Sequence, residues 1–252
     1  GTESRERLLR MTAGTYLENE TLDLDGDESN GVAAYPDVLL EAGKQCAVSP
    51  YALAAILIQE QGRDGFSQSI SGENELFPGV YNYFHVGAYA GAGLTAVERG
   101  LWFAAGSGCG ATSYGRPWTD RSRAIFGGAA FLAEKYIQAG QTTFYLKRYN
   151  VQGRRAGTNQ YMTNVAGALA EGKNLALAYS QEIRAEALRF LIPVFSGAPA
   201  EACPLPDGTA APAESPESDL PGADAAPAEG QTVRGDINGD GSADIADLIC
   251  LR

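Results

Sequence analysis

One histidine, His85, is all that 252 residues contain. A zinc site built mainly from imidazoles is therefore excluded. The four cysteines, Cys46, Cys109, Cys203 and Cys250, are scattered rather than grouped as metal ligands. They allow three pairings if all are oxidised, and small buried thiols are an equal reading. No apolar run reaches the length of a membrane-spanning helix. Basic residues are also scarce, 19 against 31 acidic ones, for a net charge of −12. No basic stripe marks a nucleic-acid surface. The acidity is uneven: residues 201–252 carry 11 acids and 2 bases, and the remaining 200 residues are close to neutral.

What is present is a body of helical patterns separated by Gly- and Tyr-rich loops. The chain opens on "SRERLLRM", which reads as a helix already under way, and closes on "DLICLR", an apolar helical pattern cut short. A fragment of a longer protein is the expectation. "YPDVLLEAGKQC" predicts a helix entered through Pro36. "VSPYALAAILIQEQG" predicts a second, with Ser49 as N-cap, Pro50 at the first position and Gly62 as the stop. "FSQSISGENELFPGVYNYFHVGA" predicts a small hairpin or irregular lobe. "RSRAIFGGAAFLAEKYIQAG" is helical, with Ile125, Ala129, Leu132 and Tyr136 on one stripe and Gly140 past its end. Two further helices are expected around 160–170 and 174–191. Helices with one minor β lobe give the class α+β, mainly α.

From about 197 to 233 the composition changes. Seven of the twelve prolines lie there among Ala, Glu, Asp and Ser, the signature of an extended linker. The expected organisation is residues 1–34 as an extension or the end of a preceding region, a domain over 35–196, the linker over 197–233, and a short unit over 234–252.

Within the body, Glu60 stands out. It follows Leu53, Ile56 and Leu57 at helical spacing, so a carboxylate shares the face that should be buried. Such a group is costly unless something holds it. One reading is a side chain that swings out to solvent or caps a loop. The other is a general acid, whose protonated form partial burial favours, as glycosidic bond cleavage requires.

The surrounding motifs bear on that choice. "VSPYALAAILIQEQG", "GVYNYFHVGA", "YGRPW", "AIFGGAAFLAEKYIQAGQTTFYLKRYNV" and "NQYMTNV", in this order, resemble the endo-β-N-acetylglucosaminidase domain of glycoside hydrolase family 73. These enzymes are bacterial autolysins that cut peptidoglycan. The resemblance runs from Tyr35 to about Ala170, and weakly to Phe195. It implies a lysozyme-like fold with the catalytic glutamate at a helix end beside a β lobe, the position of Glu60. It also implies a secreted or wall-associated bacterial protein acting on glycan strands. Tyr81, Asn82 and Phe84 match a "YNFF" turn that lines the sugar groove. Tyr161 matches a tyrosine facing the catalytic acid. Trp118, in "YGRPW", is either a sugar-stacking platform or a core residue at a helix entry. Relatives often have His where Asn159 stands and Asn where His85 stands; Asn159 can still donate a hydrogen bond to substrate, and His85 reads as a groove or packing residue.

An inverting enzyme needs a second carboxylate ~6.5–9.5 Å from the acid, and Glu73 and Glu75, on the predicted lobe, are the candidates. The alternatives are that both are solvated and that the 2-acetamido oxygen of the substrate attacks instead. Two other functions share the sequence features: a lytic transglycosylase or muramidase of the same fold, and a non-catalytic wall- or scaffold-attached binding module.

The last unit, "GDINGDGSADIADLICLR", sets Asp236, Asn238, Asp240, Ser242, Asp244 and Asp247 at loop positions 1, 3, 5, 7, 9 and 12, with Gly241 at position 6. Calcium needs six to eight hard oxygens, and this loop supplies them around a glycine that permits the turn. Asp at position 12 and the apolar stretch after it resemble a dockerin repeat. Dockerins carry two such repeats and bind cohesin domains of scaffold proteins, so calcium and a cohesin partner are what the resemblance implies. An earlier run, "DLDGDESNG", spaces Asp23, Asp25 and Asp27 similarly but lacks the glycine and the final carboxylate. It reads as a solvated loop.

Overall fold

The computed structural model describes residues 3–23, 31–108 and 112–179, with the isolated positions 191, 194 and 197. The linker, the dockerin-like loop, most of the predicted 174–191 helix and three of the four cysteines lie outside the described residues. Cys46, inside them, is a free thiol.

The chain does not enter in mid-helix. Helix α1 (Arg5–Thr12) is capped by Ser4, whose hydroxyl accepts from the Arg7 amide. A single turn follows, α2 (Tyr16–Asn19), capped by Thr15. Leu8, Met11, Leu17 and Leu22 are fully buried in the same core as Leu53 and Leu57. The described residues ahead of residue 35 thus pack against the same core as the helices that follow.

Strands β1 (Thr21–Asp23) and β2 (Val32–Ala34) pair antiparallel, with Leu22 opposite Ala33. They flank the "DLDGDESNG" run. This is the small sheet, and it is not where the sequence placed it. Over 66–88 the structure has one helical turn, α5 (Gln68–Ser71), and irregular backbone. The reason is local chemistry. The Asn74 side chain accepts from the amides of Leu76 and Phe77, turning the chain where a strand would run. Backbone bonds then go to distant partners: Asn82 N–H to Ser69, and Tyr81 N–H to Trp118.

Helix α3 (Tyr35–Cys46) begins through Pro36 as expected and ends at Ala47, in the left-handed region at φ 54°. Helix α4 (Pro50–Gln61) has the predicted bounds, with Gly62 beyond it at φ 74°. Ser49 occupies the N-cap position but makes no side-chain cap bond. Nine of the twelve α4 residues are buried. A helix apolar on all sides belongs at a centre, and α4 packs against α1, α3 and, farther along the chain, a helix at 167–176.

Helix α6 (Ala96–Ala104) starts at a capping box, Thr95 and Glu98 bonding each other's backbone amides. Helix α7 (Arg121–Leu132) is capped by Asp120, which accepts from Arg123 N–H at 2.6 Å. It runs on into a π turn at Ala133–Ile137. The predicted stripe holds: Ile125, Ala129, Leu132 and Tyr136 are all buried. Gly127 and Gly128 let the Trp118 and Phe84 rings press on the α7 backbone; a Cβ at either would collide with them. Helices α8 (Phe144–Tyr149) and α9 (Gly167–Ala176) complete the described body. The segment 160–166 is loop rather than helix. No helix of the described residues is long and apolar enough to cross a membrane.

Candidate active site

Glu60 is on the last turn of α4, where the apolar surface of the helix gives way to a cleft. That cleft holds about 470 Å³ and is walled by Glu60, His85, Tyr136, Tyr161 and Met162, among others. The carboxylate is not left among Leu53, Ile56 and Leu57, which face the core at 0–2% exposure. It turns to His85: Nδ1 lies 2.8 Å from Glu60 Oε2, with 16% of the Glu60 side chain exposed. His85 is in the left-handed region at φ 49°. On its other side Nε2 is 3.2 Å from the amide nitrogen of Gln61.

A second pair, buried and joining α8 to α9, has members that no short sequence pattern links. Lys147 on α8 and Glu171 on α9 meet at 2.6 Å, their side chains 5% and 0% exposed. Burial pushes the Glu171 carboxyl up to about 7 against the pull of Lys147, and the negative charge of Glu60 adds to the rise. Burial also lowers the Lys147 ammonium, which both Glu171 and Glu60 partly restore. The Lys147 ammonium sits 3.6 Å over the Tyr161 ring. Tyr161 in turn donates its hydroxyl to the Phe84 carbonyl at 2.6 Å. Its phenol is held well above the ordinary range by burial first, then by Glu60 and Glu171.

Of the residues expected to touch substrate, the structure brings Tyr161 and Phe84 to the cleft wall beside Glu60. The Phe84 ring is nonetheless core, 1% exposed against Gly128. Asn82, also 1% exposed, gives both amide hydrogens to the Val86 and Gly100 carbonyls and accepts from Val86 N–H. It fixes the loop and has nothing left for a sugar. Trp118 is 0% exposed, its indole N–H bonded to the Tyr114 carbonyl; it is the core residue at a helix entry rather than a platform. Tyr81 packs over Gly72 with Arg121 on its ring, outside this cleft. Asn159 donates to Lys135 and Gln141 and lines a separate polar cavity of about 410 Å³. Glu73 and Glu75 are exposed and neither lines the cleft. A further cavity of about 270 Å³, mostly apolar and walled by Ile56, Phe144 and Tyr179, lies apart from Glu60. Among the described residues no group of His, Cys, Asp and Glu could hold a metal.

Sequence reasoning passed over Gln61, Lys147 and Glu171. A signal existed for Glu171, a glutamate on the same helix face as the small residues Gly167 and Ala168, which are buried with it.

No family model matches the chain. A segment of 101 residues is 33% identical to the bifunctional autolysin of Staphylococcus epidermidis, covering 40% of this chain and 6% of that protein. A bifunctional autolysin of Staphylococcus aureus is 34% identical over 93 residues, 37% of this chain and again 6% of the relative. The chain therefore matches only a small part of these relatives' length. Among solved structures, autolysin E of S. aureus in complex with a muropeptide superposes with a TM-score of 0.50 at 22% identity, over 71% of this chain and 68% of that one. A catalytic mutant of autolysin E in complex with the disaccharide NAG-NAM superposes equally well. The chain is similar to the bifunctional autolysins over a short stretch of sequence, and its mainly helical fold with a small two-stranded sheet is similar to that of autolysin E.

Proposed function

We propose that this chain hydrolyses peptidoglycan, cutting the β-1,4 bond after N-acetylglucosamine with Glu60 as general acid. The observation that carries this reading is the placement of Glu60, fixed at the end of a buried helix yet opening on a cleft. The autolysin E complexes, with a muropeptide and with NAG-NAM, support the substrate class. So does the stretch shared with the bifunctional autolysins. Extracellular or wall-associated action follows from the same substrate.

In this reading Glu60 protonates the leaving oxygen as the glycosidic bond breaks. The exposed positions of Glu73 and Glu75 favour the route in which the substrate's own acetamido oxygen meets the anomeric carbon. Tyr161 walls the cleft and, through the Phe84 carbonyl, holds the loop that carries His85. A phenol kept neutral there adds no negative charge to a site that already has two carboxyls.

Mass spectrometry of digested peptidoglycan tests the assignment. Reducing N-acetylglucosamine ends are expected. Anhydro-muramic or reducing muramic ends would assign a transglycosylase or muramidase instead, and undigested wall would leave a binding module.

The 236–247 loop is proposed to bind calcium, held by Asp236, Asn238, Asp240, Ser242, Asp244 and Asp247. Calorimetric titration of the whole chain should show weak binding, roughly 10⁻⁴ to 10⁻³ M, the range of extracellular modules. A chelator should leave hydrolysis unchanged, since no residue assigned to catalysis lies in that loop. Cohesin recognition is proposed only together with a second repeat, because the apolar Leu248, Ile249 and Leu251 need a partner surface to bury them.

A further inference from the structure

His85 is held from two sides, and the two contacts are not chemically equivalent. Gln61 is 6% exposed. Its amide nitrogen lies 2.6 Å from the Tyr83 carbonyl, 3.4 Å from the Asn82 carbonyl and 3.2 Å from His85 Nε2. Its oxygen is buried with no partner. Rotating the amide by half a turn would set that oxygen 2.6 Å from the Tyr83 carbonyl, acceptor against acceptor. The amide is therefore oriented with its N–H groups toward the imidazole. An amide nitrogen has no lone pair to offer, so His85 Nε2 can only accept there. The ring proton is then on Nδ1, 2.8 Å from Glu60 Oε2.

We propose that His85 is a positioning residue for Glu60, locked by Gln61 in the tautomer that donates from Nδ1. The role rests on the reading of Glu60 as the acid. With Oε2 accepting from His85, an acidic proton on Glu60 belongs on the other oxygen, Oε1. The imidazole thereby selects which oxygen carries the proton and stabilises the carboxylate left after transfer. The next residue along α4 thus controls the acid through a ring 25 positions away in sequence.

The chain's one histidine makes the test direct. Nitrogen-15 spectra of the intact wild-type protein at neutral pH should show a single imidazole with Nδ1 protonated and Nε2 bare. Gln61→Met removes the donor and should give a mixture of both tautomers. A wild-type ring protonated on Nε2 overturns the proposal, as does a Gln61→Met spectrum identical to wild type. In turnover of wall fragments, His85→Ala should lower kcat by up to ~10²-fold with KM nearly unchanged, the effect of a misplaced catalytic group. His85→Asn should recover part of that loss. Its amide nitrogen can stand near the Nδ1 position, and asparagine tolerates the left-handed backbone. Equal kcat for His85→Ala and wild type would reduce His85 to packing. Should wild type itself fail to cut the wall, the hydrolase reading and the catalytic role fall together, while the nitrogen spectra still decide the tautomer.

Discussion

Glu60→Gln is expected to lower wall hydrolysis by ~10²–10⁴-fold, the share that general acid catalysis contributes, while the fold stays intact. The structure indicates why the fold should survive. The glutamine carbonyl can accept from His85 Nδ1 just as Glu60 Oε2 does at 2.8 Å. The amide then faces the cleft, where water can solvate it. Only the transferable proton is lost. Comparing kcat/KM on soluble wall fragments, with circular dichroism as a control on folding, measures the effect. A variant that folds and turns over near the wild-type rate would move the acid elsewhere, and among the described residues no other carboxyl is both in this cleft and open to solvent: Glu171 is 0% exposed, and Glu73 and Glu75 lie outside.

Lys147→Met should cost about 3–5 kcal/mol of stability, the penalty for breaking a buried ion pair at one end. Methionine fills the space but leaves the Glu171 carboxyl with no cation, and Glu171 Oε2 already lacks a partner. The loss should grow with pH. In the wild type Glu171 is raised from 4.5 to about 7 by burial. The folded state therefore holds its proton more tightly than the unfolded chain does. That contribution is complete below the ordinary carboxylate range and disappears as pH rises through about 7. Without Lys147 the carboxyl rises further, so at pH 5 the variant folds with Glu171 already protonated, and at pH 8 it must either take up a proton from solution or bury a bare charge, each at a cost. Urea melts at the two pH values give the comparison. Replacing both partners with apolar residues, Lys147→Met with Glu171→Leu, should recover most of the loss. A single variant within about 0.5 kcal/mol of wild type at pH 8, the range of ordinary surface substitutions, would mean that water reaches the pair.

Helix α4 was legible because all its instructions are local: Pro50 at entry, Gly62 at exit, an apolar run between. The α7 stripe was legible for the same reason, its residues being three and four apart. Helix α6 was equally legible, since Thr95 and Glu98 spell a capping box, and it was overlooked. The lobe at 66–88 was not legible. Its shape depends on Asn82 reaching Gly100, and on Tyr81 pairing with the Trp118 backbone, contacts that no short window contains. Sheet strands of three residues carry too little alternation to find. At the site, Glu60 announced itself by a charge on an apolar face, but its partner did not. His85 is 25 positions away, and Lys147 and Glu171 sit on different helices 24 apart. Trp118 and Asn82 carried the residue types of a sugar site and turned out to be structural, because aromatic bulk and amide hydrogen bonding serve a core equally well.

Burial of α4 on nearly every side also governs how the site comes apart. Amides in a helix enclosed by three others exchange with solvent only when the whole body opens, and a loop whose side chains are buried against the same core is protected with it. Glu60 is rooted in that helix, and His85 is in a loop whose Tyr83, Phe84 and Val86 are buried in the core that holds Leu53 and Leu57. Their contact thus joins two segments of one cooperative unit. On warming, amide exchange around His85 is expected to rise together with that of α4 rather than ahead of it.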